Sequence, residues 1–210
     1  MAQHGAPGRL LAFTGNDGSG KTTLLEHCAA LLAREGKETL VVAMPSREIR
    51  AMSLFRDFHD APTETIRSHE IRLALTLIAS GDRLRLLHLV VLPALQRGCW
   101  VLCDRYAYTG LVRCPDSIIH DVTNRFVAPD LVFLASCPVN ICEQRVRSRP
   151  DEATRFYDHD EEERVRDNYL ALARANKFCV VDTSQPISDC YFLVEERLGR
   201  VGVGPRLPTR

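Results

Sequence analysis

The sequence lacks an excess of charge of either sign, since Lys+Arg and Asp+Glu both total 27 in 210 residues. A balanced charge gives no general attraction to nucleic acid or to an anionic membrane, so we expect neither as a partner. No apolar run reaches membrane-spanning length, because Leu84–Leu95 is interrupted by Arg85, His88 and Pro93. Met1–Gly8 has no basic stretch followed by an apolar one, so we expect no signal peptide and a cytoplasmic protein.

The eight cysteines have no spacing that is typical of a metal site. Pairs such as Cys99/Cys103 and Cys137/Cys142 do not form a C-x-x-C motif, and no paired histidines accompany them. In a cytoplasmic protein they are expected as reduced thiols. We therefore predict that they are small buried apolar side chains.

The strongest signal is the stretch Gly15–Thr22, which reads GNDGSGKT and has the G-x-x-x-x-G-K-[ST] spacing of a phosphate-binding P-loop. Arg9–Thr14 before it is short and apolar, as in a buried strand, and Thr22–Glu35 after it has helical periodicity. The motif therefore stands in the strand–turn–helix context that it requires. Backbone N–H groups of such a loop bind phosphate oxygens at the helix N-terminus. The sequence predicts a nucleoside triphosphate site.

Two side chains of this loop are predicted to act directly. Lys21 is expected to reach the outer phosphates, and the Thr22 hydroxyl is expected to bind magnesium. The predicted nucleotide-binding set here is Gly15, Asn16, Asp17, Gly18, Ser19, Gly20, Lys21, Thr22 and Thr23.

Strands alternate with helices along the rest of the chain, which predicts an α/β fold with a parallel sheet flanked by helices. The further predicted strands are Glu38–Ala43, Cys99–Cys103, Leu131–Ala135 and Phe178–Val181; the further predicted helices are Glu48–Phe58, Thr65–Leu95 (N-cap Thr63), Val139–Arg147, Asp160–Ala173 and Ile187–Leu198. The long second helix could bend at Ser80–Gly81. Met1–Gly8 and Val201–Arg210 are predicted to be loose ends.

Part of the long helix, Leu84–Leu92, is apolar around most of its circumference. A helix that is hydrophobic on more than one face is buried on more than one face. We expect it to pack on the sheet and also against another subunit, as in a homodimer.

Polar residues follow the predicted strands and should meet at one edge of the sheet. Asp17, Arg47 and the pair Asp104-Arg105 stand at such positions, so we expect them near the bound phosphates. The carboxylate of Asp104 could bind the metal ion, and Arg105 could bind a second anionic substrate. On spacing alone, a surface ion pair is the alternative for Asp104-Arg105.

Further motifs follow the P-loop in order: GNDGSGKTT at Gly15–Thr23, Gly81–Arg83, Leu92–Leu95 with Gly98, WVLCDRY at Trp100–Tyr106, Pro129–Leu134, the run from Arg145 to Arg149, and Val181–Pro186. From about Arg9 to Leu198 the chain resembles the thymidylate kinases. The resemblance implies a nucleoside monophosphate kinase that uses ATP and Mg²⁺ to phosphorylate a pyrimidine nucleotide, most simply dTMP to dTDP. It also implies a single P-loop kinase domain over residues 1–210, with a core at about 9–198 and a short lid at about 148–160.

The resemblance assigns roles at the acceptor nucleotide. Asp17 approaches the sugar 3′-hydroxyl, and Arg47 of Pro45-Ser46-Arg47 binds the acceptor phosphate. Arg105 lies near both that phosphate and the transferring one, and Arg83 reads the edge of the pyrimidine base. The implied acceptor-binding set is Asp17, Pro45, Arg47, Ala79, Arg83, Arg105 and Tyr106.

The resemblance also assigns roles at the donor nucleotide. Some family members carry a catalytic arginine at the position of Gly18, and others supply it from the lid. Here the lid must supply it, with Arg155 as the first choice and Arg149 as the second. Thr183–Pro186 flanks the adenine of ATP. The implied catalytic set is Asp17, Lys21, Asp104, Arg105 and Arg155; Arg145 and Gln185 join the ATP site, and Thr22 and Asp104 bind the metal.

The sequence departs from the family at the base. Where the family has a phenylalanine that stacks on thymine, one turn before Arg83, this chain has Ala79. Leu111, Val112 and Arg113 also replace the usual polar or aromatic residues. An alanine could make room for a larger or modified pyrimidine, or the stacking ring could come from elsewhere. The remaining alternatives are a small-molecule kinase for a non-thymidine acceptor, and a nucleotide-binding protein that has lost turnover.

Overall fold

The computed structural model describes residues 1–60, 65, 67–153 and 155–202. Its strands are β1 (Ala2–Gln3), β2 (Arg9–Thr14), β3 (Thr39–Ala43), β4 (Trp100–Asp104), β5 (Val127–Ala128), β6 (Leu131–Ser136) and β7 (Cys179–Asp182). Its helices are α1 (Lys21–Arg34), α2 (Arg47–Arg50), α3 (Ser53–Asp60), α4 (His69–Leu86), α5 (Leu92–Gln96), α6 (Tyr108–Arg113), α7 (Ser117–Thr123), α8 (Val139–Arg147), α9 (His159–Asn176) and α10 (Ile187–Gly199). A π-helical turn at Leu87–Val91 joins α4 to α5, and Pro150–Glu152 forms a 3₁₀ turn.

The centre of the fold is a five-stranded sheet in the order β3-β4-β2-β6-β7, and every neighbouring pair in it is parallel. The three inner strands, β4, β2 and β6, are buried on both faces, as expected of a parallel sheet covered by helices. On β2, Leu10 and Ala12 belong to one buried cluster and Leu11 and Phe13 to another. The predicted α/β architecture is therefore confirmed. The order places β2, which leads into the P-loop, in the middle of the sheet.

Two predicted helices differ from those observed. The predicted helix Glu48–Phe58 is two short helices, α2 and α3, and Ser46 caps the first by accepting a hydrogen bond from the Ile49 N–H. The long helix does not break at Ser80–Gly81, which lies inside α4. Its irregularity is the π-helical turn at Leu87–Val91. Pro93 lies two residues after this turn, and a proline has no N–H to continue the regular hydrogen-bond ladder.

The N-terminal segment is not a loose end, contrary to the sequence-based expectation. Ala2 and Gln3 pair in parallel with Val127 and Ala128. The His4 ring lies 2.9 Å from the Asp130 carboxylate, which also accepts from the Leu10 N–H at 2.8 Å. The Asp130 carboxylate therefore holds the N-terminal segment in place. This contact joins residues far apart in the chain, so no local sequence pattern predicts it. The predicted cap Thr63 and residues 203–210 lie outside the described residues.

All eight cysteines are buried free thiols, in agreement with the role predicted for them. Among the described residues, no helix combines the length and the apolar character needed to cross a membrane.

Candidate active site

A cavity of about 780 Å³ opens at the carboxyl edge of the sheet. The predicted site residues that line it are Asp17, Gly18, Gly20, Lys21, Thr22, Thr23, Pro45, Ala79, Arg83, Asp104, Arg105, Arg145, Arg155 and Gln185. Residues from both predicted nucleotide sites therefore face one continuous space. The predicted residues outside this lining are Gly15, Asn16, Ser19, Arg47 and Tyr106.

The P-loop packs so closely that two of its glycines have no room for a side chain. A Cβ at Gly15 would overlap the Ala135 carbonyl oxygen, and one at Gly18 would overlap the Cys142 carbonyl oxygen. Both residues also have positive φ, at 136° and 79°. At the start of α1, Gly20 supplies no side-chain cap. The N–H groups of the first turn therefore remain open, which is the arrangement that binds phosphate.

Lys21 lies folded back on the loop, with its Nζ donating to the Asn16 carbonyl at 2.6 Å. The side chain is buried, and this burial together with the nearby Arg105 charge lowers the pKa of Lys21 to about 7. The ammonium group therefore lacks a strong anionic partner. Phosphate oxygens in the cavity would provide one and restore the usual charge.

The Asp17 carboxylate is held between two arginines. Arg105, at the end of β4, contacts one oxygen, and Arg155, in the predicted lid, donates to the other at 2.9 Å. Burial would raise the pKa of Asp17, but Arg105, Lys21 and Arg155 outweigh it and hold that pKa well below its ordinary value. The lid arginine predicted from sequence thus reaches the P-loop.

The backbone at Arg105 is unusual, since its φ is 69° in the left-handed region. Its N–H donates to the Phe13 carbonyl at 2.8 Å, so the β4 turn is tied to β2. A side chain other than glycine rarely adopts this conformation, and such positions cluster at functional sites. Here the turn holds the guanidinium group beside Asp17.

The cavity also contains ligands that suit magnesium. Thr22 lines it, and the Oδ1 atom of Asp104 is buried with no hydrogen-bond partner among the described residues. The other Asp104 oxygen lies 3.6 Å from Arg50 Nη2. Within the described part of the chain no cluster of three or more His, Cys, Asp or Glu side chains could hold a metal. One carboxylate and one hydroxyl nevertheless fit an ion that is held mainly by substrate phosphates and water.

Arg83, which the resemblance assigns to the acceptor base, lines the cavity. Its side chain is buried, and its Nε has no hydrogen-bond partner within the described ranges. Burial and the neighbouring Arg105 lower the pKa of Arg83 to about 9. An unpaired buried guanidinium is costly and typical of a binding site. Ala79, one helical turn earlier, is also buried and lines the same space.

Two residues assigned by resemblance are not placed as expected. Arg47 is exposed and does not line the cavity, whereas Arg50, three residues later, lines it and lies against Asp104. The short helix α2 rotates the first arginine away from the cavity. Tyr106 is fully buried, and its hydroxyl donates to the Val127 carbonyl at 2.9 Å. It supports the fold behind the site and does not face the acceptor.

One buried network was missed by the sequence analysis. The Arg113 Nη1 donates to the Glu162 carboxylate at 2.9 Å, and Asn16 Nδ2 donates to the same carboxylate at 2.7 Å. Burial would lower the pKa of Arg113, but Glu162 raises it above its ordinary value. Arg113 lines the cavity, so α6, α9 and the P-loop are joined there. The partners are 49 and 146 residues apart, and no local pattern predicts their contact.

Arg145 and the loop after β7, which the resemblance assigns to the ATP site, lie against the P-loop. Arg145 Nη2 donates to the Thr183 carbonyl at 2.8 Å, and the Thr183 hydroxyl donates to the Ser19 carbonyl at 2.8 Å. Gln185 lies at the exposed rim, where its amide donates to Asp182 at 3.0 Å. These contacts fix the loop predicted beside adenine against the P-loop.

Comparison with known proteins agrees with this geometry. The sequence profile of the thymidylate kinase family matches residues 13–191. A thymidylate kinase of Alcanivorax borkumensis is 32% identical over 92% of this chain and 95% of the relative. One from Geobacter sp. strain M21 is 35% identical over 92% of each chain, and one from Methylococcus capsulatus is 33% identical over 87% and 90%. The chain therefore belongs to the thymidylate kinase family.

Proposed function

We propose that this protein transfers the γ-phosphoryl group of ATP to dTMP, giving ADP and dTDP. The single observation that carries the proposal is the shared cavity. The P-loop with Lys21 lies at one end, the unpaired buried Arg83 lies at the other, and Asp17 with its two arginines lies in the same lining. Phosphoryl transfer needs two anions held in line with their charge neutralised, rather than covalent help from the protein.

Each group has a role that follows from its position. Lys21 and the open N–H groups of α1 bind the donor phosphates, while Arg50 and Arg105 bind the acceptor phosphate. Arg83 donates to the edge of the pyrimidine base. A carboxylate can accept about four hydrogen bonds, and the two arginines use only part of that number. Asp17 can therefore still accept a hydrogen bond from a sugar hydroxyl.

Arg155 is proposed to act as the lid arginine that neutralises charge on the transferring group. Its contact with Asp17 brings it to the P-loop, beside Lys21. Magnesium, when bound by Thr22 and Asp104, would supply further positive charge at the donor phosphates. Arg155 already lies against Asp17, so the segment that carries it covers this part of the site and helps to exclude water.

The proposal extends to the setting of the enzyme. We infer a cytoplasmic homodimer that binds no nucleic acid. Eight free thiols suit a reducing compartment, and the chain carries no net charge that would attract nucleic acid. Leu89 supports the dimer, because it is 68% exposed in the middle of the apolar segment Leu84–Leu92.

An ADP-release assay of the purified protein against a panel of nucleoside monophosphates tests the reaction. We expect dTMP to be the preferred acceptor. If none of the nucleoside monophosphates in the panel led to ADP formation, the proposed function would be overturned. If a bulkier pyrimidine nucleotide were preferred, the acceptor would be that larger nucleotide, for which the small side chain of Ala79 leaves room.

The charge of Lys21 should be needed for the reaction. Lys21→Ala should lower kcat by roughly a hundred- to a thousandfold while the circular dichroism spectrum stays unchanged, because the side chain supplies charge to the transition state.

Removal of the positive charge of Arg155 should slow the chemical step more than it weakens nucleotide binding. Arg155→Ala is expected to lower kcat by about a thousandfold, the lower range for a catalytic arginine, and to change both Michaelis constants by less than about fivefold. Arg149→Ala is the matched control, since Arg149 shares the Glu152 carboxylate with Arg155 at the same 3.3 Å but, within the described residues, makes no ion pair with Asp17. A loss confined to the acceptor KM would show that Arg155 only binds.

Nucleotide binding should take up a proton above neutral pH. In the free protein the pKa of Lys21 is about 7, so the side chain is mostly neutral at pH 8 and mostly charged at pH 6. Bound phosphates raise that pKa, so at pH 8 binding should take up about one proton, and affinity should weaken as pH rises through 7. Calorimetry in buffers of different ionisation enthalpy measures the uptake. Lys21→Met should abolish the part of the proton uptake that comes from Lys21. Equal uptake in that variant would show that another group takes up the proton.

The dimer depends on the exposed side of the apolar segment. Leu89→Glu should convert the protein to a monomer in sedimentation velocity at micromolar concentration, because a charge cannot be buried in an apolar interface without a partner. Phe192→Glu, at a residue that is 62% exposed on α10, is the control and should leave the dimer intact. A monomeric wild-type protein would refute the homodimer.

A further inference from the structure

The cavity has few rings that could stack on a nucleotide base. Among the described residues that line it, the aromatic side chains are Phe55 and Phe58 alone. Both lie on α3, three residues apart and so on one face of the helix, and both are half-buried. The rest of the lining is largely polar, with arginines prominent. Two apolar rings that face a polar cavity favour a ligand with a flat apolar group.

Two contacts join the segment from Ser46 to Phe58 to α4. Near its start, the Ser46 N–H donates to the Asp82 carboxylate at 2.7 Å. At its end, the Arg72 guanidinium lies 5.8 Å from the centroid of the Phe58 ring. Between these two contacts the chain carries Phe55, which lines the same cavity as Leu75 and Ala79 of α4.

The two rings differ in what they already contact. Phe58 lies against the Arg72 guanidinium, which is itself paired with Glu161 on α9. That contact ties Phe58 to the α9 side of the cavity. Phe55 has no such contact with a ring or a cation within the described ranges, and it lines the same cavity as Ala79, which precedes Arg83 by one helical turn on the same face of α4.

We propose that Phe55 stacks on the pyrimidine base of the acceptor nucleotide, over the space that the small side chain of Ala79 leaves. This inference rests on the proposed function. Arg83 holds the edge of the base and Phe55 covers its face, so the ring that relatives place on α4 comes here from α3. The preference of the site for a pyrimidine nucleotide over a sugar phosphate that has no base then depends on Phe55.

The test compares binding of dTMP with binding of 2′-deoxyribose 5-phosphate, which has no base. Phe55→Ala should raise the Kd and KM for dTMP by roughly ten- to a hundredfold, the usual loss for a stacked base, with kcat and the KM for ATP nearly unchanged. Affinity for deoxyribose 5-phosphate should not change. A merely structural role, such as a collapse of α3, would displace Arg50 and weaken both ligands alike.

A second-site variant strengthens the test. Ala79→Phe should restore dTMP affinity in the Phe55→Ala background by most of the lost factor, and should add little to the wild type, which already has a stacking ring. Phe58→Ala is the control inside the cavity, and Phe192→Ala is the control outside it, since Phe192 lies exposed on α10. Neither control should change the ratio of the two affinities.

The outcomes separate this inference from the proposed function. A wild-type protein that neither binds nor phosphorylates dTMP would overturn the proposed function and this inference with it. Normal turnover of dTMP with unchanged affinity in Phe55→Ala would overturn the Phe55 assignment alone. A loss seen in Phe58→Ala instead, or a tenfold gain from Ala79→Phe in the wild type, would also refute stacking by Phe55.

Discussion

The pairing of Asp17 with Arg105 and Arg155 is the interaction on which the site depends. It joins three parts of the chain that are distant in sequence: the P-loop, the turn after β4 and the segment between α8 and α9 that carries Arg155. Each part has its own backbone constraint. Gly18 has positive φ beside Asp17, and Arg105 itself adopts a left-handed conformation. The parallel sheet makes the pairing feasible, because the carboxyl ends of its strands meet at one edge.

The charges around this pairing explain why the cavity binds anions. Burial and the nearby Arg105 charge lower the pKa values of Lys21 and Arg83 to about 7 and about 9. Asp17 offsets only part of this positive charge. Donor and acceptor phosphates would supply the missing negative charge, so ligand binding relieves a repulsion that folding alone leaves in place.

The sequence predicts this molecule best where the functional residues and the local structure that positions them lie in one short segment. The P-loop, its flanking strand and helix, and the strand that ends in Asp104 carry their own signals, and the structure places them as expected. Arg47 and Tyr106 were misplaced because a family motif gives a position in the chain but not the rotation of the helix around it. The Arg113–Glu162–Asn16 network was missed because its buried contacts join residues far apart in sequence.

Packing at Gly18 explains why the P-loop itself carries no side chain at this point. A Cβ here would overlap the carbonyl oxygen of Cys142 on α8. The φ of 79° at Gly18 adds a conformational cost for any other residue. The close contact between the P-loop and α8 therefore excludes a side chain from the loop itself. An arginine reaches Asp17 from outside the loop instead, since Arg155 donates to its carboxylate at 2.9 Å. The close packing of α8 on Gly18 thus agrees with the proposal that Arg155, and not a residue of the P-loop, supplies the catalytic positive charge.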